Sequence, residues 1–149
     1  MSDEILDTPA FAVINTRHLP YAPQRIFGAF ADPEQLKQWW GPEGFTNEVT
    51  YCDFRVGGEL HITMINENAR RFENTKRFLD ISEPERITFQ HLQPMHDFVM
   101  SITHEPEGEG TILTWRMDFA AGQDAELAPF LRAANEQNFD RLEAFLRTN

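Results

Sequence analysis

The chain has 149 residues, 41% of them hydrophobic and 25% charged, enough for one globular domain to bury a core without disulfides or metals as staples. Its formal charge of −11 comes without any cluster of Lys and Arg, which argues against nucleic acid and anionic membranes as partners, since both need cations gathered on one face. Cys52 is the single cysteine; it rules out an intrachain disulfide and a thiolate metal cage and fits a reducing compartment, so a cytoplasmic location is expected.

Residues 1–9 carry Asp3, Glu4 and Asp7 where a signal peptide would be basic and then apolar. They read as a flexible lead to a single domain over 10–149. No run approaches the roughly 18 apolar residues of a membrane span, so insertion is not expected. The first strand is predicted over Phe11–Leu19, ended by Pro20 and Pro23. Pro23 suits the first position of a short helix over 23–31, with Ile26, Phe27 and Phe30 at helical spacing. Asp32-Pro33-Glu34-Gln35 then supplies a capping carboxylate, a first-turn proline and a Gln three residues after the cap. The second helix it starts is predicted to run through Leu36, Trp39 and Trp40 and to stop at Gly41-Pro42.

From Phe45 to Phe119 the apolar period becomes two, and turn residues recur every 8 to 12 positions, which is the pattern of an antiparallel meander. Six strands are predicted, over 45–54, 58–66, 71–81, 85–93, 96–105 and 110–120, joined at Gly57-Gly58, Glu67-Asn68, Glu83-Pro84, Pro94 and Pro106 to Gly110. One long helix follows over 124–147, its stripe formed by Leu127, Leu131, Ala134, Asn138, Leu142 and Phe145 and widened by Phe130, Phe139 and Leu146. Pro129 requires either a separate first turn or a kink. The expected fold is α+β: a curved antiparallel sheet of about seven strands gripping a long C-terminal helix, with two short helices after the first strand. A helix laid into a strongly curved sheet tends to leave a gap, and an enclosed apolar cavity for a small ligand is expected there.

Several of these residues together resemble a known family: Arg17, Ala22-Pro23, Ile26-Phe27, Asp32-Pro33-Glu34, Leu36, Trp39-Trp40-Gly41-Pro42, Gly44-Phe45, Gly57-Gly58, Pro84-Glu85-Arg86-Ile87, Gly110-Thr111 and Leu113. The run is similar to homologues of the activator of the heat-shock protein 90 ATPase, within the START-like, birch-pollen-allergen-like superfamily also called SRPBCC. The similarity spans about residues 11–146. It implies a helix-grip fold with a hydrophobic cavity and, in many bacterial members, no assigned ligand. The activator role itself belongs to larger eukaryotic proteins with an additional N-terminal domain, which is not expected in these 149 residues. Members often carry Trp near the middle of the last helix, where this chain has Asn135, and Gly in the middle of the fourth strand, where it has Lys76.

The candidate cavity residues are Trp39, Trp40, Phe45, Met64, Phe98, Met100, Trp115, Asn135, Asn138 and Phe139. Trp39 and Trp40 read first as braces between the short helices and the sheet, and second as a stacking surface at the cavity mouth. Asn135 and Asn138 sit on or beside the stripe facing the cavity, where an amide fixes either a ligand's carbonyl or hydroxyl, or a protein backbone group, water or second subunit. His61, His91, His96 and His104 show no metal-ligand spacing and read as surface or hydrogen-bonded histidines, with His61 of opposite parity to Leu60 and Ile62. Ser82 and Ser101 lack a nucleophile elbow, and Cys52 reads as an idle thiol. No catalytic residue, metal or cofactor is expected.

The function expected is non-catalytic binding of a small apolar or amphipathic molecule. Two alternatives remain open: a cyclase-like or hydrolase-like enzyme acting on a bound aromatic or polyketide-like substrate, and a protein-binding module of the chaperone-regulator type, with a homodimer as a further partner. A buried ionisable group in the cavity favours the enzyme; a contiguous patch of exposed Phe and Trp favours the module.

Overall fold

Residues 11–93 and 97–148 are described in the computed structural model of the chain; the lead over 1–9, the turn at Pro94 and His96 lie outside the described residues. The elements are β1 (Phe11–Leu19), α1 (Pro23–Ala31), α2 (Pro33–Leu36), β2 (Thr46–Cys52), β3 (Glu59–Ile65), β4 (Arg71–Ser82), β5 (Arg86–Gln93), β6 (Phe98–Glu107), β7 (Gly110–Phe119), a 3-10 turn (Ala125–Leu127) and α3 (Ala128–Thr148). The seven strands form one antiparallel sheet in the order β1-β7-β6-β5-β4-β3-β2. This is the α+β helix grip expected from the pattern. Strands β2 to β7 join as consecutive hairpins, while β1 pairs with β7 at the far edge.

Because side chains alternate along a strand, the pairing register stacks inward-facing residues into tiers. One tier runs Phe11, Phe119, Phe98, His91, Lys76 and Leu60 from β1 across to β3. The next holds Val13, Met117, Met100, Phe89 and Phe78. Trp115 lies in a third, between Asn15 and Ile102. Against these tiers α3 buries Asn135, Asn138, Phe139, Leu142, Phe145 and Leu146, whereas nothing in its first seven residues is buried. The helix is therefore held by its second half. Each fully buried Phe or Leu contributes about 1.5–3 kcal/mol, so the grip is strong from Asn135 onward. Pro129 falls in the first turn of α3, after the separate 3-10 turn, where its missing N–H costs no bond.

Several boundaries differ from the sequence expectation by a few residues, and two of them have a clear physical cause. Helix α2 ends at Leu36, and Lys37 to Trp40 continue only as turns, with Trp39 N and Trp40 N both donating to Leu36 O. The cause is tertiary: Asn138 Nδ2 donates to Trp39 O, and Arg141 Nη1 donates to the carbonyls of Trp40, Gly41 and Pro42. These contacts from α3 take the carbonyls that a longer helix would use. Gly41 turns the chain at φ +94°, and a Cβ there would lie 2.8 Å from Met64 Cε. The second difference is that β6 runs on to Glu107, which pairs with Gly110, so Gly108 and Glu109 alone make the last hairpin turn.

Candidate functional site

Among the described residues, aromatic side chains fill the space between the buried part of α3 and the sheet. Trp115 lies with its ring centroid 5.3 Å from Trp40, 6.3 Å from Trp39 and 4.9 Å from Phe139. Trp39 anchors the group by donating its indole N–H to Ala29 O at 3.1 Å. The void found in this cluster, between Phe30, Trp39, Trp115, Leu142 and His104, holds about 10 Å³, room for one water at most. The ligand-sized cavity expected from a helix over a curved sheet is thus not open here, because three indoles and Phe139 occupy the gap. The larger hollows are open surface grooves; one of about 570 Å³ is lined by Glu34, Lys37, Gln38, Asn47, Glu48 and Arg141.

The residues expected to line the cavity fall into three groups. Trp39, Trp40, Trp115 and Phe139 form the aromatic plug just described. Phe98, Met100 and Met64 lie on the concave face of β6 and β3, with Phe98 and Met100 buried and Met64 and Phe45 half-buried. Phe45 meets Phe72, not the plug, at 6.2 Å. Asn135 and Asn138 are buried but bonded to protein. Asn138 accepts from Gly41 N at 3.0 Å and donates to Trp39 O at 2.8 Å, so both ends of its amide brace the Trp-Trp-Gly turn. Asn135 donates to Asn15 Oδ1 at 3.0 Å and lies 3.4 Å from Met117 Sδ. Asn15 in turn donates to Arg132 O and Glu136 Oε2.

Beside that relay, Arg17 pins α3 to β1. Its guanidinium reaches Glu136, Asp140 and Glu143 at 2.7–2.8 Å and lies 5.3 Å from the centre of the Phe139 ring. Partial burial opposes its charge, but the three carboxylates more than offset this and hold it protonated.

Lys76 is the residue that sequence reasoning did not place in the site. It is 3% exposed, in the tier of His91 and Phe98. Its Nζ lies 3.2 Å from His91 Nδ1 and stands over the rings of Phe89 at 5.2 Å and Trp40 at 5.7 Å. Among the described residues it forms no ion pair with a carboxylate. Burial alone drives its pKa from 10.5 down to about 7. His91 is stacked on Phe98, centroids 4.8 Å apart. A signal was legible: Phe72, Asn74, Lys76 and Phe78 share one parity of β4, opposite to Glu73 and Arg77.

The other titratable candidates are less suited to a ligand. His104 is buried, burial pulls its pKa down to about 4 against a bond to the Glu85 backbone, and its Nδ1 has no partner among the described residues. It borders the small void. His61 is on the outer face, 2.8 Å from Glu59 Oε1. Cys52 is half-buried and its thiol is pushed up by burial, then by Asp53 and Asp32. Among the described residues no group of three or more His, Cys, Asp or Glu could hold a metal ion, and no helix is long and apolar enough to cross a membrane.

Comparison with known proteins bears on this geometry. The family model described as Activator of Hsp90 ATPase homolog 1-like protein matches residues 20–147. A protein from Chromobacterium violaceum has a solved structure with 26% identity and a TM-score of 0.77, the match covering 91% of this chain and 96% of that one. One from Rhizobium loti is 27% identical with a TM-score of 0.74 over the same shares. A third, from Arthrobacter aurescens, is 18% identical with a TM-score of 0.85 over 94% of this chain and 88% of that one, a likeness of fold alone. A search of curated proteins returned no match.

Proposed function

The chain belongs to the Activator of Hsp90 ATPase homolog 1-like family, within the START-like superfamily, and from that premise we propose that it binds one small amphipathic molecule between α3 and the concave face of its sheet, without transforming it. The observation that carries this reading is the uneven grip of α3: its buried stripe begins only at Asn135, while Ala128 and Leu131 are half-buried and Phe130 is 69% exposed. Opening the first two turns exposes little core. Met117 lies 3.4 Å from Asn135 at the end of those turns, with Met100 its partner across the sheet, and flexible thioethers repack around irregular guests. The structure is then the closed form of a site that a ligand opens, and the ligand's affinity is reduced by whatever fraction of molecules is closed.

A thermal-shift screen of the full chain with lipids, sterols and aromatic polyketides tests this. A ligand present at about 100 times its Kd adds about 2.7 kcal/mol, a rise of several degrees for a domain of this size. Uniformly unchanged melting temperatures refute the reading.

A second reading draws on Lys76: a buried amine whose pKa is lowered to about 7, beside an imidazole, is the kind of pair that moves protons on a bound substrate. Turnover of a bound aromatic substrate that is lost in Lys76→Met supports it. The protein-binding reading has less behind it. Among the described residues the exposed large apolar side chains are Ile14, Tyr51, Val56 and Phe130, so the exposed Phe and Trp that such a docking patch calls for come down to Phe130.

A further inference from the structure

The surroundings of Lys76 suit a cation, yet no described residue supplies it with a counter-ion. Its Nζ faces two aromatic rings, Phe89 at 5.2 Å and Trp40 at 5.7 Å, and ring faces attract an ammonium, not an amine. His91 Nδ1 lies 3.2 Å away, and since an ammonium can only donate, that nitrogen serves as its acceptor. The remaining two N–H donors of an ammonium have no partner given by any described residue. No carboxylate among the described residues pairs with it, although the chain carries 24 Asp and Glu. Buried charges are otherwise paired.

We infer that the missing partner belongs to the ligand, and that the ligand is a monoanionic carboxylate on a flat apolar body, its carboxylate meeting Lys76 Nζ and its body lying against Trp40, Phe89 and Phe98. This rests on the small-molecule reading above and names the class of molecule. One charge is the limit. Among the described residues Lys76 is the only buried Lys or Arg, so a phosphate dianion would leave charge uncompensated in an apolar interior. The net charge of −11 also opposes the approach of multiply charged anions. The flat body follows from the rings around Nζ, Phe89 and Trp40; an aryl ring packs against such faces better than a branched aliphatic chain.

Calorimetric titration of the full chain at pH 8 with 2-naphthoate and its neutral counterpart 2-naphthamide tests the inference. The acid is expected to bind the wild type at least tenfold more tightly than the amide. Its heat should vary with the buffer's ionisation enthalpy in proportion to nearly one proton taken up, because at pH 8 the free amine is mostly neutral. Lys76→Met should abolish both the preference and the proton uptake while still binding the amide. Equal binding of acid and amide, or a preference that survives in Lys76→Met, overturns the carboxylate inference and leaves the small-molecule reading standing. Failure of the wild type to bind either probe also overturns the carboxylate inference, whereas the small-molecule reading falls only if the broader thermal-shift screen is null as well. Proton uptake is read on the wild type alone, so it does not depend on how the variant folds.

Discussion

Replacing Lys76 with Met should make the protein more stable, and by an amount that depends on pH in a calculable way. Met keeps the length and most of the volume of the side chain, so packing changes little. In the unfolded chain the Lys76 amine has its ordinary pKa of 10.5, whereas in the fold burial lowers it to about 7. Below pH 7 both states are protonated and the folded protein carries the whole cost of the buried charge. Between pH 7 and 10.5 the unfolded chain binds a proton that the fold does not, so wild-type stability rises by about 1.4 kcal/mol per pH unit from this residue. Above pH 10.5 both are neutral and the penalty is gone. The full span is about 5 kcal/mol. Urea denaturation of wild type and Lys76→Met at intervals from pH 6 to pH 10 isolates the effect as a difference, which cancels every other titrating group. His91 is the titratable side chain in contact with Lys76 among the described residues, and the same series in a His91→Gln background separates its contribution. The Met variant should be ahead by several kcal/mol at pH 7 and nearly level at pH 10. A constant gap, or no gap, would refute the account of Lys76 as an unpaired buried base.

Three further outcomes follow from the same geometry. Asn138→Ala leaves Gly41 N and Trp39 O without their partner in the interior, and should cost about 2–4 kcal/mol by urea denaturation; a loss under about 1 kcal/mol would mean the amide does not hold the turn. Gly41→Ala forces a side chain into φ +94° and should cost about 1–2 kcal/mol. Adding Met64→Ala, which removes the 2.8 Å clash, should recover little, and full recovery would show that sterics, not backbone conformation, dominate. His104→Phe should flatten the acid limb of the stability curve: burial holds this histidine near pKa 4 in the fold against 6.5 when unfolded. Wild-type stability therefore falls by about 1.4 kcal/mol per unit as pH drops from 6.5 to 4, and an identical acid limb in the variant would exclude His104 as its source.

The strands were legible because their cause is local: alternation in Phe98, Met100 and Ile102 or in Leu113, Trp115 and Met117, with turn residues between. The early end of α2 was not, because the groups that stop it, Asn138 and Arg141, arrive from α3 about a hundred residues later. The filled interior was also beyond reach. Whether a helix leaves a gap over a curved sheet depends on where Trp39, Trp40 and Trp115 point, and periodicity says which face a side chain takes but not how far it extends. Helical spacing puts Asn135 and Asn138 on or beside the inner stripe, and both are buried, yet their partners are protein atoms. Lys76 escaped because a charged residue in a strand reads as solvent-facing, and only the parity it shares with Phe72, Asn74 and Phe78 says otherwise.

That buried lysine and the closed core are connected. A domain's net stability is only about 5–15 kcal/mol, and the buried Lys76 charge alone removes up to about 5 of it at neutral pH. A methionine would fill the same space at no such cost, so the fold is less stable than its packing allows at the place where two aromatic faces and an imidazole await a cation. A carboxylate brought in by a ligand would form its ion pair in an interior of low dielectric, where attraction is strong, and would restore the proton that burial expels. That gain is available only if the carboxylate can reach Nζ, and the loosely held first turns of α3 are where opening costs least. The penalty in the unliganded protein and the affinity for an acidic guest would then be one free energy, seen from its two sides: removing the charge should abolish both in the same variant.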